Sequence, residues 1–243
     1  MIGLLANLGR LIYTFRNVGM IIAWERTMIS TNSEMLTPTE AAVVSSVEVR
    51  DINRVIDESI LPKDFYRVNP DRTRRLVADA CTFISFYFHT AKSLTAEERL
   101  RAIAAASPKL REEPVSKLEK EWTIRQEFLT IDLTPFLKSV HQKLAELEEA
   151  RALVVEDPEI LGGIPVIRNT RVPVYDVAAS VAAGLPMRRI LAAYPGLTAE
   201  MVDRAAFYAT ANPPRGRPRE HSSPPAGAVV VSTRRAPRRN THS

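Results

Sequence analysis

Between residues 50 and 74 the chain presents Arg50, Asn53, Arg54, Lys63, Arg67, Arg72 and Arg74. Side chains of these types contact nucleic acid: guanidinium and ammonium groups pair with phosphates, and arginine and asparagine read base edges in the major groove. A second basic set lies near the C-terminus. It comprises Arg215, Arg217 and Arg219, then Arg234, Arg235, Arg238 and Arg239, with the β-prone run Val229, Val230 and Val231 between the two groups. Catalytic patterns are missing from the sequence. There is no Gly-rich phosphate loop, no Gly-x-Ser-x-Gly and no His/Cys cluster, and the four histidines (89, 141, 221 and 242) lack metal-ligand spacing. Asp157, Glu159 and Asp176 read as a turn acid, its neighbour and a first-turn helix acid, with Arg168 and Arg171 completing a local ion-pair network. His141 reads as a surface residue. The expectation is a protein that is not an enzyme and takes no cofactor or metal.

The basic residues after position 50 need a helix and a hairpin to position them. Thr37-Pro38-Thr39-Glu40 is a helix start, with Thr37 capping, Pro38 at the first helical position and Glu40 closing a capping box. A turn at Ser45-Ser46-Val47 follows, then a second helix over residues 48–58. That helix has an apolar stripe of Val49, Ile52, Val55 and Ile56 opposite Arg50, Asn53, Arg54 and Asp57. Next come Leu61-Pro62, the aromatics Phe65 and Tyr66, and a basic wing through residues 71–75. A long apolar helix is expected from Leu76 to about Lys92, and another capped by Ser93 or Thr95. This order resembles the MerR-type winged helix-turn-helix, which implies operator binding by residues 35–75. Ser46 stands where that family has Gly, and its recognition-helix aromatics are missing here.

Residues 112–153 read as a connector. Residues 122–133 alternate as a strand does, and the following helix places Leu137, Val140, Leu144, Leu147 and Ala150 at spacings of three and four. That face serves either core packing or a dimer seam.

From Val154 the pattern becomes position-specific. Gly162-Gly163 is a tight turn. Pro165 and Pro173 bracket an extended run that turns at Asn169-Thr170, so a short hairpin of residues 164–168 against 171–174 is expected. Three helices follow: residues 175–183 ending at Gly184, residues 187–194 stopped by Pro195-Gly196, and one opened by the N-cap Thr198. The run E-D-P-E-I-L-G-G-I-P-V-I-R-N-T-R-V-P-V, then A-G-L-P and Y-P-G-L-T, resembles the domain of unknown function 433 family, with Asn169 in place of the usual Gly. The resemblance implies a helix-turn-helix-like fold and a partnership, as a VapB-type antitoxin, with a PIN-like ribonuclease toxin. On that basis the tail supplies toxin contacts. Arg215, Arg217, Arg219, Arg234 and Arg235 pair the nuclease carboxylates, and Val229, Val230 and Val231 add a strand to its sheet edge. A nonspecific solvated tail and a nucleic-acid-binding tail are the other readings.

The expected fold class is mainly α with small β elements. It divides into an extension (1–34), a winged helix-turn-helix (35–111), a connector (112–153), a β-hairpin plus three-helix domain (154–211) and an Arg/Pro-rich disordered tail (212–243). The formal charge of +5 belongs to the tail, which has seven arginines and one acid; segment 35–111 nets only +2. Weak phosphate attraction of that size calls for a homodimer on two half-sites, or a larger assembly with the toxin. The lone Cys81 excludes an internal disulfide and fits a reducing cytoplasm. Residues 1–34 read as an upstream extension before Met35 or a loosely docked helix, with a peripheral membrane helix as the alternative. Their uncharged runs are too short to span a bilayer. The function implied is an antitoxin that binds operator DNA and silences a PIN-like ribonuclease. A stand-alone MerR-like regulator is the alternative, and an architectural DNA-binding protein using the tail is a third.

Overall fold

The computed structural model describes residues 34–113, 115–126 and 129–214. It is mainly helical with small antiparallel sheets. The expectations for residues 1–33, and for Arg215, Arg217, Arg219, Val229, Val230, Val231, Arg234, Arg235, Arg238 and Arg239, lie outside the described residues.

Strand β1 (Met35–Leu36) leads into helix α1 (Pro38–Ser45). Thr37 Oγ1 accepts the Glu40 N–H at 3.2 Å and the Glu40 carboxylate accepts the Thr37 N–H at 2.9 Å, so the capping box forms as the sequence predicts. Ser46 ends α1 in the left-handed region at φ 58 and turns the chain into α2 (Val49–Asp57). Such a φ costs serine little compared with a β-branched residue, which is why the turn forms without glycine. Helix α2 buries Ile52, Val55 and Ile56, whereas Val49 at its first turn is 39% exposed and leaves the predicted stripe.

A 3-10 turn (Lys63–Phe65) delivers β2 (Tyr66–Val68), which pairs antiparallel with β3 (Arg74–Val77); β3 also pairs with β1, so the strand order is β1-β3-β2. The apolar helix expected from Leu76 therefore begins later, as α3 (Ala80–His89). Leu76 is fully buried opposite Leu36, and the run Arg74–Val77 satisfies its backbone in the sheet before the helix starts.

Helix α4 (Ala96–Glu112) is capped by Thr95 with Glu98, and the short α5 (Val115–Leu118) follows. The single strand expected over residues 122–133 is a pair, β4 (Thr123–Gln126) against β5 (Leu129–Asp132). Alternation alone does not reveal a reversal within such a run. Helix α6 (Thr134–Leu153) buries Leu137, Val140, Leu144, Leu147 and Ala150, the five positions picked out by their spacing. Leu137, Val140, Leu144 and Leu147 join Leu36, Ile52, Leu76, Phe83, Phe86 and Trp122 in one core, and Ala150 is buried as well, so within this chain that face is occupied by packing. Each such large side chain contributes roughly 1.5–3 kcal/mol by leaving water.

His141, on α6, is not a surface residue. Its side chain is only 10% exposed, with Nδ1 2.8 Å from Glu119 Oε1 and Nε2 4.0 Å from Asp79 Oδ1. Burial pushes the Asp79 carboxyl up to about 6, opposed by the attraction of His141. Arg151, also on α6, donates to the buried Glu40 at 2.8 Å and to Glu34, tying the end of α6 to α1.

After α6 comes β6 (Val154–Val155), then a 3-10 turn (Leu161–Gly163) and β7 (Val166–Ile167). The predicted turn at Asn169 forms at φ 62, with Ile167 N–H donating to Val172 O at 2.9 Å. The regular partner of β7 is nevertheless β6, and only an isolated bridge joins Val166 to Pro173. Pro173 has no N–H, so that side cannot extend a ladder, whereas Val154 and Val155 can. Helices α7 (Val174–Ala182), α8 (Met187–Ala193) and α9 (Ala199–Ala211) complete the chain, and Thr198 caps α9 by accepting the Met201 N–H at 3.2 Å. Ile167, Val174, Val177, Ile190, Val202 and Ala205 form a second core. Helix α9 packs on α7, α6 and α1, and its last residue Ala211 is buried in the first core.

Candidate nucleic-acid and partner interfaces

The unit from β1 to β3 places the basic residues in two different situations. On α2 they are engaged within the chain. Arg50 Nε lies 2.9 Å from Glu48, Arg54 Nε lies 2.9 Å from Glu58, and Asn53 Nδ2 donates to Val49 O at 3.1 Å. Arg74, from β3, reaches back across the hairpin. Its Nη2 sits 2.7 Å from Asp57 Oδ1, and its Nη1 donates to Asn53 Oδ1 at 3.0 Å. Arg74, Asn53 and Asp57 thus form one cluster that holds α2 against the hairpin. Arg74 acts as a strut between elements.

The hairpin is different. Lys63, Arg67 and Arg72 are exposed, and none of their side chains has a hydrogen-bond or ion-pair partner among the described residues. Its turn is tightly organised: Asp71 Oδ1 accepts both the Thr73 N–H at 2.9 Å and the Thr73 hydroxyl at 2.7 Å, and Asn69 Nδ2 donates to Thr73 Oγ1 at 2.8 Å. The Thr73 hydroxyl and amide hold the Asp71 carboxyl below its ordinary value. Arg72 sits in this turn at φ 63. In the ladder, Arg67 is directly opposite Arg75. Like charges facing one another across an antiparallel pair are unfavourable, so this arrangement is one an anion would relieve. Arg75 belongs to the basic wing read from the sequence but is not among its candidate nucleic-acid contacts, because its place opposite Arg67 depends on strand register. Once residues 66–68 and 74–77 are set in register, the pairing is immediate.

In the C-terminal part, Asp157, Glu159, Asp176, Arg168 and Arg171 do not form the expected ion-pair network. Asp157 Oδ1 accepts the Glu159 N–H at 2.9 Å, and Arg168 Nε donates to Ala152 O at 2.7 Å. Arg171 has no ion pair or side-chain hydrogen bond among the described residues. The Asp157 carboxylate is spent on local backbone, and the arginines instead border a cavity of about 570 Å³ whose lining also includes Val155, Ile160 and Val166. Cys81 is fully buried, and burial pushes its thiol up to about 12, which keeps it protonated and unreactive. Among the described residues no group of three or more His, Cys, Asp or Glu could hold a metal ion, and no helix is long and apolar enough to cross a membrane.

Residues 154–209 match the family described as Protein of unknown function (DUF433). Over 211 residues the chain is 54% identical to the uncharacterized protein y4eO of Sinorhizobium fredii, an alignment covering 85% of this chain and 95% of that protein. The chain belongs to the same protein family as y4eO and carries a DUF433 domain at its C-terminal end. No solved structure matches it.

Proposed function

We propose that the chain is the DNA-binding antitoxin of a type II toxin–antitoxin pair. Its β1–β3 unit acts as a MerR-like winged helix-turn-helix on its own operator, and its DUF433 domain and tail hold a PIN-like ribonuclease in check, as in VapB-type antitoxins. The observation that carries the DNA half is the sequence of α1, a left-handed turn at Ser46, α2, and a hairpin whose Lys63, Arg67 and Arg72 have no ion-pair partner among the described residues. In this reading the hairpin supplies phosphate contacts. Helix α2 supplies base contacts through Arg50, Asn53 and Arg54 once DNA draws the two arginines from Glu48 and Glu58. Both of those pairs are largely solvent-exposed and screened by water, so the exchange is cheap. A dimer would place two such units about 34 Å apart, one helical turn of DNA.

The nuclease half rests on the DUF433 resemblance and on the excess of arginine in the tail, since a guanidinium fork pairs with the carboxylates of a metal-dependent nuclease. Fluorescence anisotropy with a duplex from upstream of the chain's own reading frame tests the DNA half. Tight, salt-dependent binding that is lost in a Lys63→Glu/Arg67→Glu/Arg72→Glu variant supports it; no preference over unrelated duplex removes the operator from the account.

A further inference from the structure

We propose that the cavity bordered by Arg168 and Arg171 is a docking site for a protein segment that presents a carboxylate beside an apolar side chain. The lining has two halves. Val155, Ile160 and Val166 are aliphatic, and the loop from Arg168 to Arg171 is cationic and contains no acid. Arg168 commits only Nε, to Ala152 O, and Arg171 commits nothing among the described residues, so the fork ends of two guanidinium groups remain available at one cavity. Two parallel N–H donors on a planar fork match a carboxylate.

The backbone around the cavity is held in unusual conformations. Leu161 (φ 50), Gly162 (φ 68) and Gly163 (φ 83) follow Ile160 in an unbroken left-handed run, and Asn169 (φ 62) lies in the cationic loop. A leucine at positive φ is a strained residue, and strain of this kind persists where the surroundings or a function require it. Here it holds Leu161 50% exposed, with Ile164 45% exposed three residues on. These are two of the large apolar side chains left in water among the described residues. The aliphatic lining of Val155, Ile160 and Val166 beside paired cations suits an acidic peptide with an apolar neighbour better than a phosphate backbone, which offers no apolar counterpart. The chain's own tail is a poor occupant, because residues 215–243 carry seven arginines against one acid.

This inference rests on the reading of the DUF433 domain as the partner-binding end, but its test does not need the partner. The full chain, isotopically labelled, is titrated with the capped tripeptide acetyl-Leu-Glu-Leu-amide while the amide signals of Asn169 and Thr170 and the Nε–H signals of Arg168 and Arg171 are followed. The expected result is saturable movement of those signals, about tenfold weaker with the Gln analogue of the peptide, since a charge-assisted pair is removed. It should be absent in Arg171→Gln and in Arg168→Gln/Arg171→Gln, while the Val154 and Val166 amide signals stay in place to show that the β6–β7 ladder is intact. Equal response to the Gln analogue, or persistence in the double variant, overturns the proposal. A 12-base-pair duplex or inorganic phosphate moving the same signals more strongly than the peptide also overturns it. If the tripeptide does not bind while the intact chain still captures a nuclease, the pocket assignment fails and the partnership survives.

Discussion

Replacing Arg67 with glutamine should make the protein slightly more stable and a weaker DNA binder at once. Arg67 faces Arg75 directly across the β2–β3 ladder. The Cβ atoms of such a pair lie about 5 Å apart, and the extended side chains put the charges roughly 7 Å apart. At the dielectric of water, two like charges at that distance repel by about 0.6 kcal/mol. Glutamine keeps the aliphatic stem and removes the charge, so most of that repulsion is released. For a chain of this length the gain corresponds to a rise in Tm of roughly 1–2 °C, shrinking in high salt as the repulsion is screened. On the proposed operator binding, the same change removes one phosphate contact. The slope of log K against log salt should become shallower by about 0.9, which is about an eightfold loss of affinity at roughly 0.1 M salt. Thermal unfolding, together with anisotropy at several salt concentrations, reads both numbers from one preparation. A lowered Tm with an unchanged salt slope would refute the reasoning, because it would mean that Arg67 stabilises the hairpin and does not meet an anion.

Arg74 should behave in the opposite way. Arg74→Ala cuts the link to Asp57 and Asn53, and because the pair is partly solvent-exposed the loss should be about 0.5–1 kcal/mol in urea denaturation, with DNA affinity falling through a loosened α2. Arg151→Met leaves Glu40, 5% exposed, without its cation and should cost about 2–3 kcal/mol near neutral pH. Although burial works against it, the Thr37 amide and Arg151 hold the Glu40 carboxyl below its ordinary value. Its contribution is therefore present above about pH 4.5 and lost as pH falls through the lowered value, so the wild-type advantage over Arg151→Met should narrow in acid. Asp79 has the reverse sign: raised from 3.8 to about 6, it favours folding while protonated and penalises it as pH rises through about 6. Asp79→Asn should accordingly be more stable than wild type at pH 7.5, by up to about 3 kcal/mol, with little difference at pH 4, as urea titrations at the two pH values would show. Thr95→Ala should cost about 1 kcal/mol through loss of the α4 cap, visible as a lowered urea midpoint.

Features governed by local chemistry were legible in the sequence. The caps at Thr37 and Thr198, the α4 cap as one of Ser93 or Thr95, the left-handed Asn169 and the buried stripe of α6 all follow from side-chain type and spacing over one or two turns. What the sequence did not yield was decided by partners far along the chain. Leu76 looked helical because it is apolar and precedes an apolar helix, yet its backbone pairs with Leu36 and Tyr66. Val166 and Ile167 seemed to need a hairpin partner on their own C-terminal side, but the end of α6 supplies it. His141 follows Val140 on α6 and looked solvated until Glu119 and Asp79 were brought against it. The same limit applies to the candidate sites. The basic residues were identifiable by type, but only register separates Arg67 and Arg75, which oppose each other, from Arg74, which braces α2. At Arg168 and Arg171 the expected pairing with Asp157 is replaced by its bond to the Glu159 amide, a competition that sequence spacing does not reveal.

The antitoxin assignment is tested most directly by co-expressing the full chain with the product of the adjacent reading frame, purifying through a tag on this chain, and assaying the eluate for bound partner and ribonuclease activity. The account predicts a stable complex whose nuclease is silent, with activity appearing when the partner is separated from this chain. A chain that elutes alone while still binding its own upstream DNA would contradict it and leave a stand-alone regulator.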